Sequence, residues 1–165
     1  MPTSEMEIRT ALDRHWAASA AGDLEAEHDI YLDDAICDYP QSGERIRGRR
    51  NIQALRGHHP DKPSGFKVRR IVGAGVLWVT EYFITYQGKT AYTVSIMEFS
   101  GDKVSHETQY FADPFTAPAW RTQWVEPMAQ RNIDEVAHVK AIAKGEASVG
   151  PRECRCSYAR RTPFG

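Results

Sequence analysis

The residues whose types could do chemistry are spread along this chain rather than gathered in one motif. His15 falls in the series Ile8, Leu12, His15, Trp16 and Ser19, a helical spacing that gives it an inward face. A histidine there can act as base, acid or hydrogen-bond donor near neutral pH, or simply be a satisfied structural residue. Glu107 lies in an extended stretch, residues 103–111. Enclosed, its carboxyl would be desolvated, which raises its pKa and suits it to acid or base work. A one-residue slip of register would turn it to solvent instead. Asp38 and Tyr39 precede Pro40, and a bulge beside that proline decides which of the two faces inward. Cys37 has no cationic neighbour in sequence and reads as packing, not as a nucleophile. Neither Cys154-Arg155-Cys156 nor the set His58, His59 and His106 has the companions of a metal site. No metal and no cofactor are expected.

The elements that must position these groups follow from periodicity and punctuation. Ser4 and Glu7 form a capping box for a first helix, which Gly22 ends. Asp23 caps a second helix expected to reach residue 31 or 32. Asp33-Asp34 turns the chain into a short strand at 35–40, Gln41-Ser42-Gly43 turns it again, and Gly48 introduces a third helix near 51–56. After a loop at 58–65 come four strands, at 66–72, 76–86, 90–99 and 103–111, joined by the tight turns Gln87-Gly88-Lys89 and Ser100-Gly101-Asp102. Residues 117–124 form a short helix carrying Trp120 and Trp124, which could close a pocket or bury an interface. Residues 133–143 are a further helix candidate, and 145–165 read as a mobile basic tail. Helices followed by a meander of long strands predict an α+β fold, one long twisted antiparallel sheet curved around the N-terminal helices.

Composition sets the outer bounds. The chain has 165 residues, 41% hydrophobic and 26% charged, close to globular averages and enough for one core. We read one domain over residues 1–144, with its core at 4–126. A formal net charge of -1 gives no footprint for nucleic acid or an anionic membrane. There is no run long enough for a membrane span and no leader-like N-terminus, so a cytoplasmic protein is expected.

In order and spacing, several landmarks resemble the nuclear transport factor 2-like superfamily, in particular its SnoaL-like branch. They are Ala21-Gly22-Asp23-Leu24, Asp33-Asp34-Ala35, Pro40, Gly48 with Ile52, Tyr86-Gln87-Gly88, Phe99, and residues 101–104. The similarity to ketosteroid isomerase covers residues 4–111, and Tyr110 to Trp120 looks like the end of many SnoaL-like proteins. The resemblance implies a cone-shaped, cystatin-like α+β barrel around one pocket. Ketosteroid isomerase uses a carboxylate base and an oxyanion hole of one tyrosine and one protonated aspartate. Those positions fall on Tyr39, His15 and Met97 here, which argues against steroid isomerisation. The fold carries over without the reaction.

The same resemblance implies a pocket lined by Thr80, Tyr82, Ile84, Thr93, Ser95, Met97, Glu107, Gln109 and Phe111, with His15, Trp16, Tyr31, Tyr39 and Arg56 from elsewhere. Glu107 and His15 are the expected catalytic pair, the carboxylate ionised and the imidazole charged. Trp16, Tyr31, Tyr39, Tyr82, Met97, Gln109 and Phe111 are the expected ligand contacts, though the tyrosines serve equally as core aromatics. Trp78, Tyr92, Ile96 and Phe83 are expected outside, where they would support a homodimer. The implied function is cofactor-independent acid-base chemistry, of isomerase, cyclase or hydrolase type, on a small hydrophobic carbonyl, enol or epoxide compound. A non-catalytic ligand-binding or dimerisation module on the same fold is the alternative.

Overall fold

The computed structural model describes residues 4–128. The helix candidate at 133–143, the tail at 145–165 and the Cys154/Cys156 pair lie outside the described residues. The first unit, residues 1–117, is an α+β body: α1 (Glu5–Ala21), α2 (Leu24–His28), β1 (Tyr31–Tyr39), β2 (Glu44–Arg47), α3 (Arg49–Gly57), β3 (Gly65–Ala74), β4 (Leu77–Tyr86), β5 (Lys89–Ser100) and β6 (Lys103–Ala112). Beyond it, Ala119–Trp124 is a 3-10 helix. Among the described residues no helix is long and apolar enough to cross a membrane.

Local chemistry sets the helix ends. Ser4 Oγ accepts from the Glu7 N–H while the Glu7 carboxylate accepts from the Ser4 N–H, so the expected capping box is present. Gly22 closes α1 in the left-handed region at φ 72°, and Asp23 accepts from the Ala26 N–H to start α2. Helix α2 is shorter than expected. It stops at His28 because Ile30 already accepts from Val104 N–H and Tyr31 pairs with Val104 in the sheet. Strand β1 therefore begins at Tyr31, not at residue 35.

The six strands run in the order β2-β1-β6-β5-β4-β3. They are antiparallel except for β1 beside β6, which is parallel, a correction to the wholly antiparallel expectation. Strand β2 was not expected: Glu44–Arg47 is nearly all charged, and only its pairing with Ile36–Tyr39 makes it a strand. The β4–β5 turn places Gln87 at φ 48° and Gly88 at φ 77°, both positive as a type I′ hairpin requires. Register shifts interrupt β1/β6, β3/β4 and β5/β6, and such bulges bend and twist a sheet.

Pairing arranges the inner face in rows. Trp78, Met97 and Glu107 stand opposite one another, then Thr80, Ser95 and Gln109, then Tyr82, Thr93 and Phe111. Trp78 thus faces inward, contrary to the outward expectation, because it shares its parity with Thr80 and Tyr82; it is buried, with its indole N–H on Gly75 O at 3.0 Å. Phe83, Tyr92 and Ile96 do face outward, and Phe83 meets Tyr92 edge-on at 5.1 Å. Helix α1 lays Ile8, Leu12, His15 and Trp16 on the inner side, where the Trp16 indole donates to Thr80 Oγ1 at 3.0 Å.

Candidate functional site: a buried carboxylate and its donors

Strand β6 delivers Glu107 to the inner face, fully buried, so the inward register holds. Its Oε1 accepts from Ser95 Oγ at 2.6 Å and from Gln109 Nε2 at 2.8 Å. Its Oε2 accepts from the Tyr31 hydroxyl at 2.6 Å and from Arg56 Nη2 at 3.0 Å, with the Cys37 thiol at 3.7 Å. A carboxylate has about four lone-pair sites, and all four are occupied by strong donors here.

That arrangement overturns the expected direction of the Glu107 pKa. Burial is the largest single influence and does push it up. The Arg56 guanidinium and the hydrogen bonds from Ser95 and Tyr31 outweigh it, leaving the carboxyl below its ordinary value and ionised at neutral pH. The Tyr31 and Tyr82 hydroxyls and the Cys37 thiol are pushed up, chiefly by burial, and stay protonated.

Arg56 is the hub. From α3 it donates through Nη1 to Glu27 Oε1 at 2.8 Å and through Nη2 to both Glu107 and the Tyr31 hydroxyl at 3.0 Å. One guanidinium therefore sits between two carboxylates from α2 and β6, a geometry suited to its forked donors.

The expected Glu107–His15 charge pair is not formed; Arg56 takes the place of the imidazole. Burial, and next the Arg56 charge, pull the His15 pKa down to about 4, so the ring is neutral. His15 Nδ1 lies 2.6 Å from the Glu27 carbonyl, which can only accept, so Nδ1 carries the proton and Nε2 an open lone pair. His28 repeats the device, with Nδ1 2.6 Å from Leu24 O and its pKa lowered by burial. The two rings pack against Tyr31, centroids 5.9 and 5.8 Å away. The buried Nε2 atoms of both, and Thr93 Oγ1, have no hydrogen-bond partner.

The expected ligand contacts assemble around this centre. Trp16, Phe66 and Tyr82 pack ring to ring at 4.7–5.8 Å, Met97 is buried, and Gln109 Nε2 lies 3.4 Å from the Tyr82 hydroxyl. Tyr39, not Asp38, joins the core; its ring meets Phe111 edge-on at 5.5 Å. Phe111 is exposed, 37%, a correction to its expected place in an enclosed pocket: it lies near the open end of β6, where among the described rings only that of Tyr39 meets it. Asp38 accepts two bonds of 2.7 Å from Arg45 and lies 2.9 Å from His106 Nε2, which leaves it outside this centre. Glu27 and His28 were missed by sequence reading, and Arg56 was only a minor lining candidate; no periodicity marks a polar residue on a five-residue helix. The cue for Arg56 was local: it follows Ile52, the buried residue of α3, by four positions, one helical turn.

A search of solved structures finds this architecture in many proteins. An NTF-2 like protein of unknown function from Burkholderia xenovorans LB400 is 70% identical over 76% of this chain and 98% of its own length, with a TM-score of 0.70. The chain belongs to the NTF2-like family. A candidate ketosteroid isomerase from Kribbella flavida DSM 17836 has the same fold at 19% identity and TM-score 0.70, over 76% of this chain and 93% of its own. An LEH-like epoxide hydrolase of M. tuberculosis shares it at 20% identity and TM-score 0.54, over 64% and 83%. No family model matches the chain, and no curated protein does. Fold class and family are therefore as the sequence landmarks implied, while reactions are not shared across such distances.

Proposed function

We propose that this NTF2-like protein binds a small, mainly apolar compound against the Glu107 centre and transforms it by cofactor-independent acid-base chemistry. The compound carries a carbonyl, enol or epoxide oxygen. One observation carries the reading: a fully buried, ionised carboxylate is retained amid aromatic side chains, held by Arg56, Tyr31, Ser95 and Gln109. Apolar residues of similar volume would pack at least as stably as a buried ion pair, so its retention points to a use for the charge. The division of labour follows from the open valences. Glu107 is saturated and acts as a fixed negative charge, while His15 Nε2 is a neutral lone pair able to take a proton. The Glu107 charge offsets only part of the burial and the Arg56 charge that disfavour the imidazolium, and the Tyr82 hydroxyl is a donor for the substrate oxygen.

The test is kinetic. Glu107→Gln and His15→Ala should each lower turnover of an epoxide or enolisable ketone by about 10²-fold or more. Wild-type rates in both variants would end the assignment.

The same saturation of Glu107 favours a second reading, a binding module without turnover, which predicts retention of a ligand unchanged. Either reading is compatible with a homodimer through the outer sheet face. There Val72, Leu77, Tyr92 and Tyr110 are exposed, apolar surface for a second copy to cover.

A further inference from the structure

Two carboxylates face one guanidinium at the Glu107 centre. Arg56 gives Nη1 to Glu27 Oε1 at 2.8 Å and Nη2 to Glu107 Oε2 at 3.0 Å, so one negative charge is left over. The adjacent imidazoles do not balance it, because burial and then the Arg56 charge lower the pKa of both His15 and His28 and leave the rings neutral. Among the described residues no other lysine or arginine pairs with either carboxylate. Lys62 Nζ donates to Gly57 O at 3.1 Å, and Arg49 is held by Asp33 at 2.8 Å.

The surplus has an open atom. Glu107 has every lone pair occupied, whereas Glu27 Oε2 accepts no hydrogen bond. His28 Nδ1, 4.0 Å from that oxygen, directs its proton to Leu24 O at 2.6 Å. The Glu27 side chain keeps 10% of its surface in water, and unlike the orphaned Nε2 atoms of His15 and His28 its Oε2 is not sealed from solvent. A ligand can therefore meet this oxygen from outside, without a cavity in the core. A carboxylate nine-tenths buried with one oxygen open attracts a cation more strongly than a solvated one, because the dielectric around it is low.

The neighbouring rim is aromatic. The Tyr86 hydroxyl is pushed up by burial and pulled down by Arg56, and the charges of Glu27 and Asp61 act on it as well, which places it within electrostatic reach of both carboxylates. Tyr86 is half-buried, with the His59 ring stacked on it at 4.6 Å. The three donors of an ammonium suit an open carboxylate oxygen, and an aromatic face also favours a cation.

We propose that the open edge of Glu27 is a binding site for an ammonium group, carried on an apolar body that lies toward Tyr86. The inference goes beyond the proposed reaction, which uses His15 and the Tyr82 hydroxyl and leaves Glu27 Oε2 idle.

Calorimetric titration at pH 7 in phosphate buffer with benzylamine, benzyl alcohol and benzoate tests it, since the three share one body and differ in charge. The wild type should bind benzylamine at least about tenfold more tightly than benzyl alcohol, the worth of one charged hydrogen bond, and benzoate least. Glu27→Gln, whose amide oxygen can still accept from Arg56, should lose that preference. Backbone amide shifts of the wild type should move at α2 and Arg56 when benzylamine is added, a readout that needs no variant. Equal affinity for amine and alcohol, a preference that survives in a folded Glu27→Gln, or shifts confined to other elements overturns the ammonium site and leaves the proposed reaction standing. Failure of the wild type to bind benzylamine does the same.

Discussion

Arg56 of α3 donates to Glu107 of β6 at 3.0 Å; the carboxylate is fully buried and the guanidinium keeps 15% of its side-chain surface in water. The bond ties the third helix to the last strand and fixes the charge state of the interior. It also makes each partner dependent on the other.

That dependence predicts a non-additive mutant cycle. Removing one member of a buried pair leaves an uncompensated charge and costs about 3–5 kcal/mol. Glu107→Gln and Arg56→Met should each lower unfolding free energy by about that amount in urea. The double variant should cost less than the sum of the two by more than about 1 kcal/mol. Strict additivity would show that the two groups do not share their stability.

Acid should destabilise the fold in a window set by the imidazole. The folded pKa of His15 is about 4 against 6.5 in the free side chain, so the unfolded chain binds the proton more readily between these values. Stability is then complete above pH 6.5 and falls as pH drops toward 4, by about 3 kcal/mol from this group. His28, also lowered, has the same sign. Glu107, lowered too, adds its loss only as pH falls below its ordinary 4.5. Chemical denaturation from pH 7 to 4 should therefore show a slope that His15→Gln reduces by up to one proton; an unchanged slope contradicts the buried neutral imidazole.

The outer sheet face predicts assembly. Ile96 faces outward between Val79 and Thr108. If copies pair through this face, Ile96→Arg should convert a dimer to a monomer in light scattering while leaving the melting of the interior intact. A wild-type mass of one chain removes the proposal.

Much of the fold was legible because it rests on short-range rules. The Ser4–Glu7 capping box, the Gly22 stop, the Gln87-Gly88 turn and the alternation along β4 to β6 each declare themselves within a few residues. Strand β2 was not legible, because its charged residues become a strand only through pairing with β1. The site divided in the same way. Alternation placed Glu107, Gln109 and Ser95 on one face, but its electrostatics depended on Arg56 and Glu27, 51 and 80 positions from Glu107 in sequence. A lone carboxyl in an apolar interior would have an elevated pKa, whereas one with an arginine and three further hydrogen bonds has a depressed one. Nothing local to Glu107 distinguishes the two cases.

Native mass spectrometry of the purified protein tests the central claim most directly, that the Glu107 centre holds a small molecule. The wild type should carry a low-mass adduct at one per chain, and folded Glu107→Gln should lose it. An adduct retained equally by both proteins would contradict a ligand bound at Glu107.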